Sequence, residues 1–284
     1  MSRPSKLAGK VTVVTGAGSG IGRAVALGLA RRGARLAISD VNETGLAETT
    51  EQVKATGAEF HSATLNVVDR AAVKAYATTV REHYGVVHQI YNNAGVAGER
   101  DLLDPGNYAN LQRIIDVNLW GVINGTVEFL PHLIASGDGH LVNVSSLNGL
   151  VATPLQAGYC ASKFGVRGFT EGVYCDILFD QHPVKVTVVY PAGIATNIAT
   201  SGLRDAVGAT EKDQERARIL NEKFLTMDVN QAASIILKGV EKKKPRVRVG
   251  MQAVLLDAFV RAVPSRYLDL LARPSRRMFA PTVG

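Results

Sequence analysis

The chain has 284 residues, of which 46% are hydrophobic and 20% charged, a composition typical of globular proteins with a sizeable core. No apolar run approaches the roughly 20 residues that a membrane span needs, and Met1 to Lys10 lacks an apolar signal region. Cys160 and Cys175 fall in one predicted helix, about 22 Å apart and too far for a disulfide. We therefore expect a reduced, cytoplasmic protein.

The net charge of +7 is concentrated near the C-terminus. From Lys238 to Gly284 there are 11 Lys and Arg against 3 Asp and Glu, whereas the other 237 residues carry 21 against 22. The body of the chain is thus nearly neutral, which argues against nucleic acid as its partner. The histidines and cysteines show no ligand spacing, so no metal site is predicted.

Short β-branched strands alternate with helical patterns as far as Gly250, and no linker-like stretch or internal repeat interrupts them. The alternation predicts a doubly wound, Rossmann-type α/β domain with about seven parallel strands and helices on both faces. The predicted strands are 10–15, 35–39, 59–65, 87–91, 140–145, 184–190 and 246–250. The predicted helices are 23–32, 42–56, 69–84, 108–136, 157–180 and 229–241.

A glycine-rich turn, G-A-G-S-G-I-G at 16–22, lies between the first strand and the first helix. This context indicates a dinucleotide site, because glycines let the backbone approach a pyrophosphate that the helix N-terminus then holds. The structural alternative is a turn that merely closes a tight loop. No Lys or Arg lies between Gly16 and Gly22.

Asp40 ends the second strand, about where an acid takes the adenosine ribose hydroxyls in doubly wound folds. A carboxylate there would repel a 2′-phosphate, so Asp40 favours NAD and makes NADP the weaker candidate. The alternative is that Asp40 only N-caps the following helix.

The stretch 143–163 carries three groups suited to proton transfer. Tyr159 and Lys163 are four residues apart and share one face of a helix. An ammonium beside a phenol favours the phenolate, so we expect Lys163 to lower the tyrosine pKa. Ser146, at the end of the fifth strand, is placed to hydrogen-bond the oxygen whose proton Tyr159 handles. A surface Tyr-Lys pair on an ordinary helix is the alternative.

Taken together, these patterns resemble the short-chain dehydrogenase/reductase family, in its compact single-domain branch. The resemblance covers about 7–250 and includes the opening L-A-G-K-V-T-V-V-T-G from Leu7, T-G-x-x-x-G-I-G from Thr15, N-N-A-G from Asn92, Asn118, Ser145-Ser146 and Y-C-A-S-K from Tyr159. Each motif is weak alone, but six in order at family spacing are specific.

The resemblance implies a role for each matching position. Tyr159 would be the catalytic acid/base, Lys163 its partner and a holder of the nicotinamide ribose, Ser146 the group that polarises the substrate oxygen, and Asn118 the holder of a relay water. The cofactor would be bound by residues spread along the whole domain: Gly16, Ser19, Gly20, Ile21, Asp40, Asn66, Val67, Asn93, Ala94, Gly95, Tyr159, Lys163, Pro191, Ile194 and Thr196.

Two positions depart from the family pattern. The family's Pro-Gly after the sixth strand is Pro191-Ala192 here, with Gly193 next, and the family's Asp-Val is Asn66-Val67. The alanine methyl restricts φ and could shift the backbone near the nicotinamide, whereas Asn66 keeps an acceptor and adds donors.

The expected activity is hydride transfer between NAD and a secondary alcohol or ketone. Leu147, Leu150, Val151 and Leu155 flank the catalytic serine and predict an apolar pocket, hence a small lipophilic substrate. The alternative is a non-catalytic module that binds a dinucleotide as a sensor or structural ligand. The resemblance also implies a homodimer or homotetramer formed through helices 108–136 and 157–180.

Two segments lie outside the repeating pattern. A charged stretch at 197–228 is predicted to be a lid-like insertion, with a plain solvated excursion as the alternative. The extension 251–284 predicts a helix to Pro264, with an apolar stripe of Val254, Leu255, Ala258, Phe259 and Ala262, and a second helix at 265–272. Arginines flank both: Arg261, Arg266, Arg273, Arg276 and Arg277. Packing on the domain or on a partner subunit is favoured over contact with an anionic membrane surface.

Overall fold

The computed structural model describes residues 5–98, 102, 104, 106–196, 198 and 210–279. Seven parallel strands form one sheet in the order β3-β2-β1-β4-β5-β6-β7, which confirms the predicted fold class. The strands are β1 Val11–Thr15, β2 Arg35–Asp40, β3 Phe60–Thr64, β4 Gln89–Asn92, β5 Gly139–Val144, β6 Val184–Pro191 and β7 Arg246–Val249.

Helices cover both faces of this sheet. They are α1 Gly20–Ala30, α2 Glu43–Lys54, α3 Arg70–Tyr84, α4 Asn107–Ile115, α5 Gly121–Ala135, α6 Ala157–Phe179, α7 Glu211–Phe224, α8 Val229–Glu241, α9 Met251–Ala262 and α10 Tyr267–Phe279. None of the helices in the described part of the chain is long and apolar enough to cross a membrane.

The core has two halves because neighbouring strand residues point to opposite sheet faces. Val14 of β1 belongs to the cluster formed with α1 and α8, whereas Val13 belongs to the cluster formed with α3 and α5. Both valines are fully buried. Burial on both faces explains why β1, β4 and β5 are buried along their whole length, whereas the edge strand β7 alternates between buried and accessible residues.

The strand order reverses at β1, which pairs with β2 on one side and β4 on the other. Connections that leave β1 and β4 therefore diverge to opposite faces, and a crevice opens at the carboxyl ends of these strands. The glycine turn follows β1, and the loops after β4, β5 and β6 end at the same edge. This edge brings together the residues that the sequence analysis selected.

The predicted helix 108–136 is interrupted. A π-helical turn, Asp116–Trp120, separates α4 from α5 and contains Asn118. The periodicity of apolar residues could not reveal it, because one inserted residue shifts the pattern only slightly. The other predicted strands and helices as far as Gly250 agree with the structure within a few residues at each end.

The lid-like insertion falls partly outside the described residues, which leave out 197 and 199–209. Its described end contains α7 and returns to the sheet edge, where the Met227 N–H donates to the Gly193 carbonyl at 2.8 Å and Ala195 N–H donates to the Met227 carbonyl at 2.8 Å. These bonds fix the point where the insertion rejoins the domain.

The extension forms α9 and α10, and α10 continues past Ala272 to Phe279. The face of α9 against the domain carries buried Ala253 and Asp257, and the Asp257 carboxylate accepts from Arg248 of β7 at 3.1 Å. The predicted apolar stripe instead remains accessible, with Leu255 61% exposed. Packing of this stripe on a partner subunit stays a prediction. An ion pair between Arg248 and Asp257, invisible to periodicity, ties the opposite face of α9 to β7.

Candidate active site

The glycine turn lies directly against the loop after β4. Gly16 has φ +66°, a conformation that side chains disfavour, and a Cβ there would lie 2.7 Å from the Ala94 Cα. The Asn93 side chain donates to the carbonyls of Thr15 and Gly16 at 3.0 and 3.2 Å. Two of the predicted cofactor segments are therefore in contact.

Thr15 is a site residue to which the sequence analysis assigned no role. Its hydroxyl oxygen accepts from the backbone N–H groups of Asn93 and Ala94, both at 3.1 Å, and the side chain is buried. The signal was available, since Thr15 precedes the first glycine at the end of a buried strand. It ties the ends of β1 and β4 together at the crevice.

Asp40 contacts the glycine turn rather than capping a helix. One carboxylate oxygen accepts from Gly18 N–H at 2.8 Å and the other from Asn42 N–H at 2.8 Å. The N-cap of α2 is Asn42, whose side chain accepts from Gly45 N–H. The capping alternative for Asp40 is thus wrong, and its partly buried carboxylate faces the turn.

The start of α1 fits a bound pyrophosphate. Ser19 is the N-cap but makes no side-chain capping bond, and the first turn carries no acidic residue. The free N–H groups and the helix dipole together favour an anion there. Gly20 faces the loop after β6, where the Thr196 Cγ2 lies 3.2 Å from the position of a Gly20 Cβ, and Ile21 packs on the core.

The loop after β3 has one accessible and one buried residue. Asn66 is exposed, and its side-chain oxygen accepts from Val68 N–H at 3.1 Å. Val67 is buried beside Gly121, and its carbonyl accepts from the Asn124 side chain at 3.0 Å. Asn66 therefore shapes the loop with its oxygen and leaves its amide nitrogen available to a ligand.

Tyr159 and Lys163 lie on one face of α6, as predicted. The Lys163 Nζ is 5.7 Å from the centre of the Tyr159 ring and donates to the Val144 carbonyl at 3.2 Å. Only 3% of Lys163 is exposed, while Tyr159 is partly accessible. A Cβ on Gly95 would lie 3.4 Å from that Nζ, so glycine leaves the lysine room.

The electrostatics of this pair differ from the expectation. Burial raises the pKa of the Tyr159 phenol, and a hydrogen bond with Ser146 opposes the rise without cancelling it. Burial lowers the pKa of Lys163 from 10.5 to about 8. The expected lowering of the tyrosine pKa by Lys163 is therefore not seen in the protein alone, because desolvation outweighs it for both groups.

Asn118 bridges the π-helical turn to two other parts of the site. Its side-chain oxygen accepts from Val96 N–H at 2.7 Å, and its amide donates to the Val96 carbonyl at 2.9 Å and to the Ser162 hydroxyl at 3.2 Å. Ser162 in turn donates to the Tyr159 carbonyl at 2.7 Å. Asn118 is fully buried and joins the loop after β4 to the catalytic helix.

Ser146 is fixed by a network that the sequence analysis missed. Its hydroxyl oxygen accepts from Asn148 N–H at 3.2 Å. The Asn148 amide reaches the Thr153 hydroxyl at 2.6 Å, the Gln156 side-chain oxygen at 3.1 Å and the Cys160 sulfur at 3.3 Å. The network ties the serine's short 3₁₀ turn to the start of α6. Its signal was a polar residue, Asn148, inside an apolar stretch.

Ser145, which lacks the spacing of a catalytic serine, has a structural contact. Its hydroxyl donates to the Lys163 carbonyl at 2.8 Å and so joins β5 to α6.

The predicted apolar pocket is only partly supported. Leu150 packs with Val188 and Tyr190 in the core, and Val151 has no exposed surface. Leu147 and Leu155 do retain accessible surface, and Leu155 has φ +63°. Leu150 and Val151 therefore offer almost no accessible surface to a substrate, because they complete the packing beneath the loop.

The strand exit after β6 accommodates the Pro-Ala-Gly departure. Pro191 is the last residue of β6, and Ala192 continues the ladder by donating to the Val249 carbonyl at 3.0 Å. Gly193 then takes φ +66°, which only glycine adopts readily. Ile194 is buried and bridges to Met227. Ala192 thus extends the pairing with β7, and the turn is made at Gly193.

Comparison with known proteins agrees with this geometry. The family model described as short chain dehydrogenase matches residues 10–206. The protein SadH of Mycobacterium tuberculosis is 48% identical over 97% of this chain and 98% of its own.

Two solved structures are similar in fold and hold NAD. A short chain dehydrogenase/reductase from Burkholderia phymatum in complex with NAD has a TM-score of 0.81 and 29% identity, covering 94% of this chain and 96% of its own. Carveol dehydrogenase from Mycobacterium avium in complex with NAD has a TM-score of 0.74 and 25% identity, and the match covers 88% of this chain and 99% of its own. With its Rossmann-type sheet and its Ser-Tyr-Lys arrangement, the chain belongs to the short-chain dehydrogenase/reductase family of oxidoreductases.

Proposed function

We propose that this protein transfers a hydride between NAD and a secondary alcohol or its ketone, with Tyr159 as the general acid/base. One observation carries the proposal: Ser146, Tyr159, Lys163 and Asn118 converge at the sheet edge that also holds the glycine turn. A protein that only bound a dinucleotide would gain nothing from a lysine charge that is buried beside a partly buried tyrosine at a cost in free energy.

The side chains divide the proton work. Ser146 accepts from Asn148 N–H, so its own O–H is left to donate to the phenol or to a substrate oxygen. Tyr159 exchanges a proton with that same substrate oxygen. Lys163 is held by the Val144 carbonyl, and its positive charge opposes the rise of the tyrosine pKa. Near pH 8 the lysine titrates, which suits it to pass a proton on towards solvent.

The residues at the other end of the crevice suit NAD. The start of α1 would hold the pyrophosphate, Asp40 the adenosine ribose, and Lys163 the nicotinamide ribose. When bound, this cofactor supplies or accepts the hydride. Preference for NAD over NADP follows from the Asp40 carboxylate, which would face a 2′-phosphate. Relatives that hold NAD support this choice of cofactor.

A lipophilic substrate is supported by the accessible leucines beside the catalytic serine, Leu147 and Leu155. A relative named for carveol, which is covered almost completely by the match, supports the same class of small alcohol.

The test follows nicotinamide absorbance with purified protein and a panel of lipophilic secondary alcohols and ketones. We expect NAD-dependent turnover with at least one compound and loss of about a thousandfold in kcat for Tyr159→Phe. Wild-type turnover by Tyr159→Phe would refute the mechanism. Tight NAD binding with no turnover across the panel would favour a sensor or structural module instead.

We also propose a homodimer or homotetramer through the predicted helices 108–136 and 157–180, which correspond to α4 with α5 and to α6; α4 packs against α6. These helices leave large apolar side chains exposed, among them Tyr108 at 75% and Phe179 at 87%. Large exposed apolar side chains of this kind are typical of subunit contacts. The accessible stripe on α9 would meet a partner subunit as well.

Light scattering at micromolar concentration tests the assembly. We expect a multimer, and we expect Phe179→Glu to lower the measured mass towards that of one chain. Leu255→Glu makes the same change on α9 and separates the contribution of the extension. A wild-type monomer would contradict the proposal.

A further inference from the structure

Arg23 contacts four groups around the glycine turn, although no step of the proposed chemistry uses it. It is the first residue after the glycines, on the first turn of α1. Its Nε donates to the Thr49 hydroxyl at 2.9 Å, and its Nη2 lies 2.5 Å from the Gly18 carbonyl oxygen and 3.1 Å from the Gly45 carbonyl oxygen. The same nitrogen lies 2.7 Å from a carboxylate oxygen of Glu48.

These contacts close a ring of hydrogen bonds that includes Asp40. The Gly18 carbonyl accepts from Arg23, while the Gly18 N–H donates to Asp40. The other carboxylate oxygen accepts from Asn42 N–H, the Asn42 side chain accepts from Gly45 N–H, and the Gly45 carbonyl returns to Arg23. The position of the Asp40 carboxylate is therefore coupled to the guanidinium through a single residue, Gly18.

The hydrogen-bonded ring leaves no room for a side chain at its two glycines. A Cβ on Gly18 would lie 2.9 Å from the Asp40 carboxylate, and one on Gly45 would lie 2.7 Å from the Gly18 oxygen. The turn and α2 thus meet backbone to backbone. A planar guanidinium can donate in several directions at once, whereas a lysine ammonium is a compact head on a flexible stem.

The charge of Arg23 is already compensated. Glu48 forms an ion pair with it, and the side chain of Arg23 is only 25% exposed. An NADP 2′-phosphate beside Asp40 would need a cation whose charge is free, and this one is bound to Glu48 and to backbone carbonyls. The Arg23–Glu48 pair therefore adds to the preference for NAD over NADP that the Asp40 carboxylate creates.

We propose that Arg23 is a positioning residue for the adenosine ribose: it fixes the Gly18 peptide so that Asp40 is held ready for the ribose hydroxyls, and its pairing with Glu48 keeps its charge from a 2′-phosphate. This inference rests on the proposed function, since it assumes that the turn binds NAD.

Binding measurements on the full-length protein test the positioning role without depending on turnover. We expect Arg23→Met to weaken NADH and ADP-ribose by about tenfold each, the loss of one charge-assisted hydrogen bond. Reduced nicotinamide mononucleotide, which lacks the adenosine half, should bind as before, and Arg23→Lys should recover only part of the loss. Arg32→Met is the matched control, because Arg32 lies just past the end of the same helix, its side chain is equally exposed, and it donates to the Gly28 carbonyl.

Unchanged NADH affinity in Arg23→Met would overturn the inference. So would an equal loss for reduced nicotinamide mononucleotide, which would indicate general damage to the fold. If the wild-type protein bound neither NADH nor ADP-ribose, the proposed function would fail with it; if wild type and variant bound both equally, only this inference would fail.

The role of Glu48 is tested by its charge. We expect Glu48→Gln to bind NADPH about two- to fivefold more tightly and NADH within about twofold of wild type, a small effect because the pair is partly exposed. Glu51→Gln is the control, since Glu51 lies on the same helix and pairs only with Lys54 at 3.9 Å. NADPH affinity that rises equally in both variants, or in neither, would refute this part.

Discussion

The site has an adenosine half around the glycine turn and a proton-transfer half around Tyr159, and the two contribute to the stability of the protein with opposite signs. In the adenosine half, Thr15 and Asp40 accept hydrogen bonds from backbone N–H groups of the protein itself. In the proton-transfer half, Lys163 is buried and Tyr159 partly buried, and burial shifts the pKa of each so that its neutral form is favoured. The first half therefore adds to the stability of the free protein, and the second lowers it at neutral pH through the charge of Lys163. Such a cost is expected where chemistry requires desolvated groups.

The largest effect should come from Lys163→Met, which acts on the costly half. Loss of the ammonium should lower kcat by about a thousandfold or more. The same change should raise the free energy of unfolding at pH 7 by about 1–3 kcal/mol, because it removes a buried charge at the expense of one hydrogen bond to Val144. Urea denaturation without cofactor measures the gain.

The pH dependence gives a sharper form of this prediction. The pKa of Lys163 is about 8 in the folded protein and 10.5 when unperturbed, so between these values the unfolded chain binds more protons. The stability contributed by this site is therefore lowest below pH 8 and rises from pH 8 to 10.5. The advantage of Lys163→Met should shrink over that window. Exposed Lys185→Met should show neither effect, and a pH-independent difference would contradict the argument.

Thr15→Val should lower the free energy of unfolding, whereas Lys163→Met should raise it, because Thr15 lies in the adenosine half. Valine matches the shape of threonine but leaves the N–H groups of Asn93 and Ala94 without their acceptor. Leaving two such groups unpaired should cost about 2–4 kcal/mol of unfolding free energy, measured in urea. A neutral or stabilising result would show that the adenosine half does not support the fold. Thr78→Val, at an exposed threonine of α3, controls for the substitution itself.

The sequence predicted the fold that carries both halves but neither energetic sign. Alternating elements depend on local patterns, so the parallel sheet with helices on both faces followed from them, whereas most site residues followed from the family resemblance. The pKa of Tyr159 depends on how deeply α6 is buried, which periodicity does not measure. The π-helical turn at Asn118 and the buried Asp257 of α9 also depend on contacts between distant segments. Arg23 lies one residue beyond the glycine motif, so the absence of Lys and Arg between Gly16 and Gly22 did not point to it.

Asn148→Leu should damage the proton-transfer half alone. The leucine keeps the approximate volume but removes the amide that links Thr153, Gln156 and Cys160. The loop before α6 should loosen, and we expect kcat to fall about tenfold while NADH affinity stays within about twofold. Steady-state kinetics with parallel NADH titration separate the two. Equal losses in both measurements would mean that the halves are not independent.

The smallest effect should be a change in cofactor preference at Asp40, and two variants separate its charge from its hydrogen bonds. Asp40→Asn keeps one oxygen acceptor for Gly18 N–H or Asn42 N–H but removes the negative charge. Asp40→Ala removes both. If repulsion of the 2′-phosphate sets the preference, both should raise the NADPH-to-NADH affinity ratio, by about fivefold or more. Asp40→Ala should lose more stability than Asp40→Asn, because it leaves both N–H groups without an acceptor whereas asparagine leaves one. Calorimetric titration with both nucleotides, paired with urea denaturation, measures each quantity. An unchanged NADPH-to-NADH affinity ratio in Asp40→Asn would show that shape and hydrogen bonding, and not charge, select the cofactor. The electrostatic contrast between the two halves would then not extend to cofactor selection.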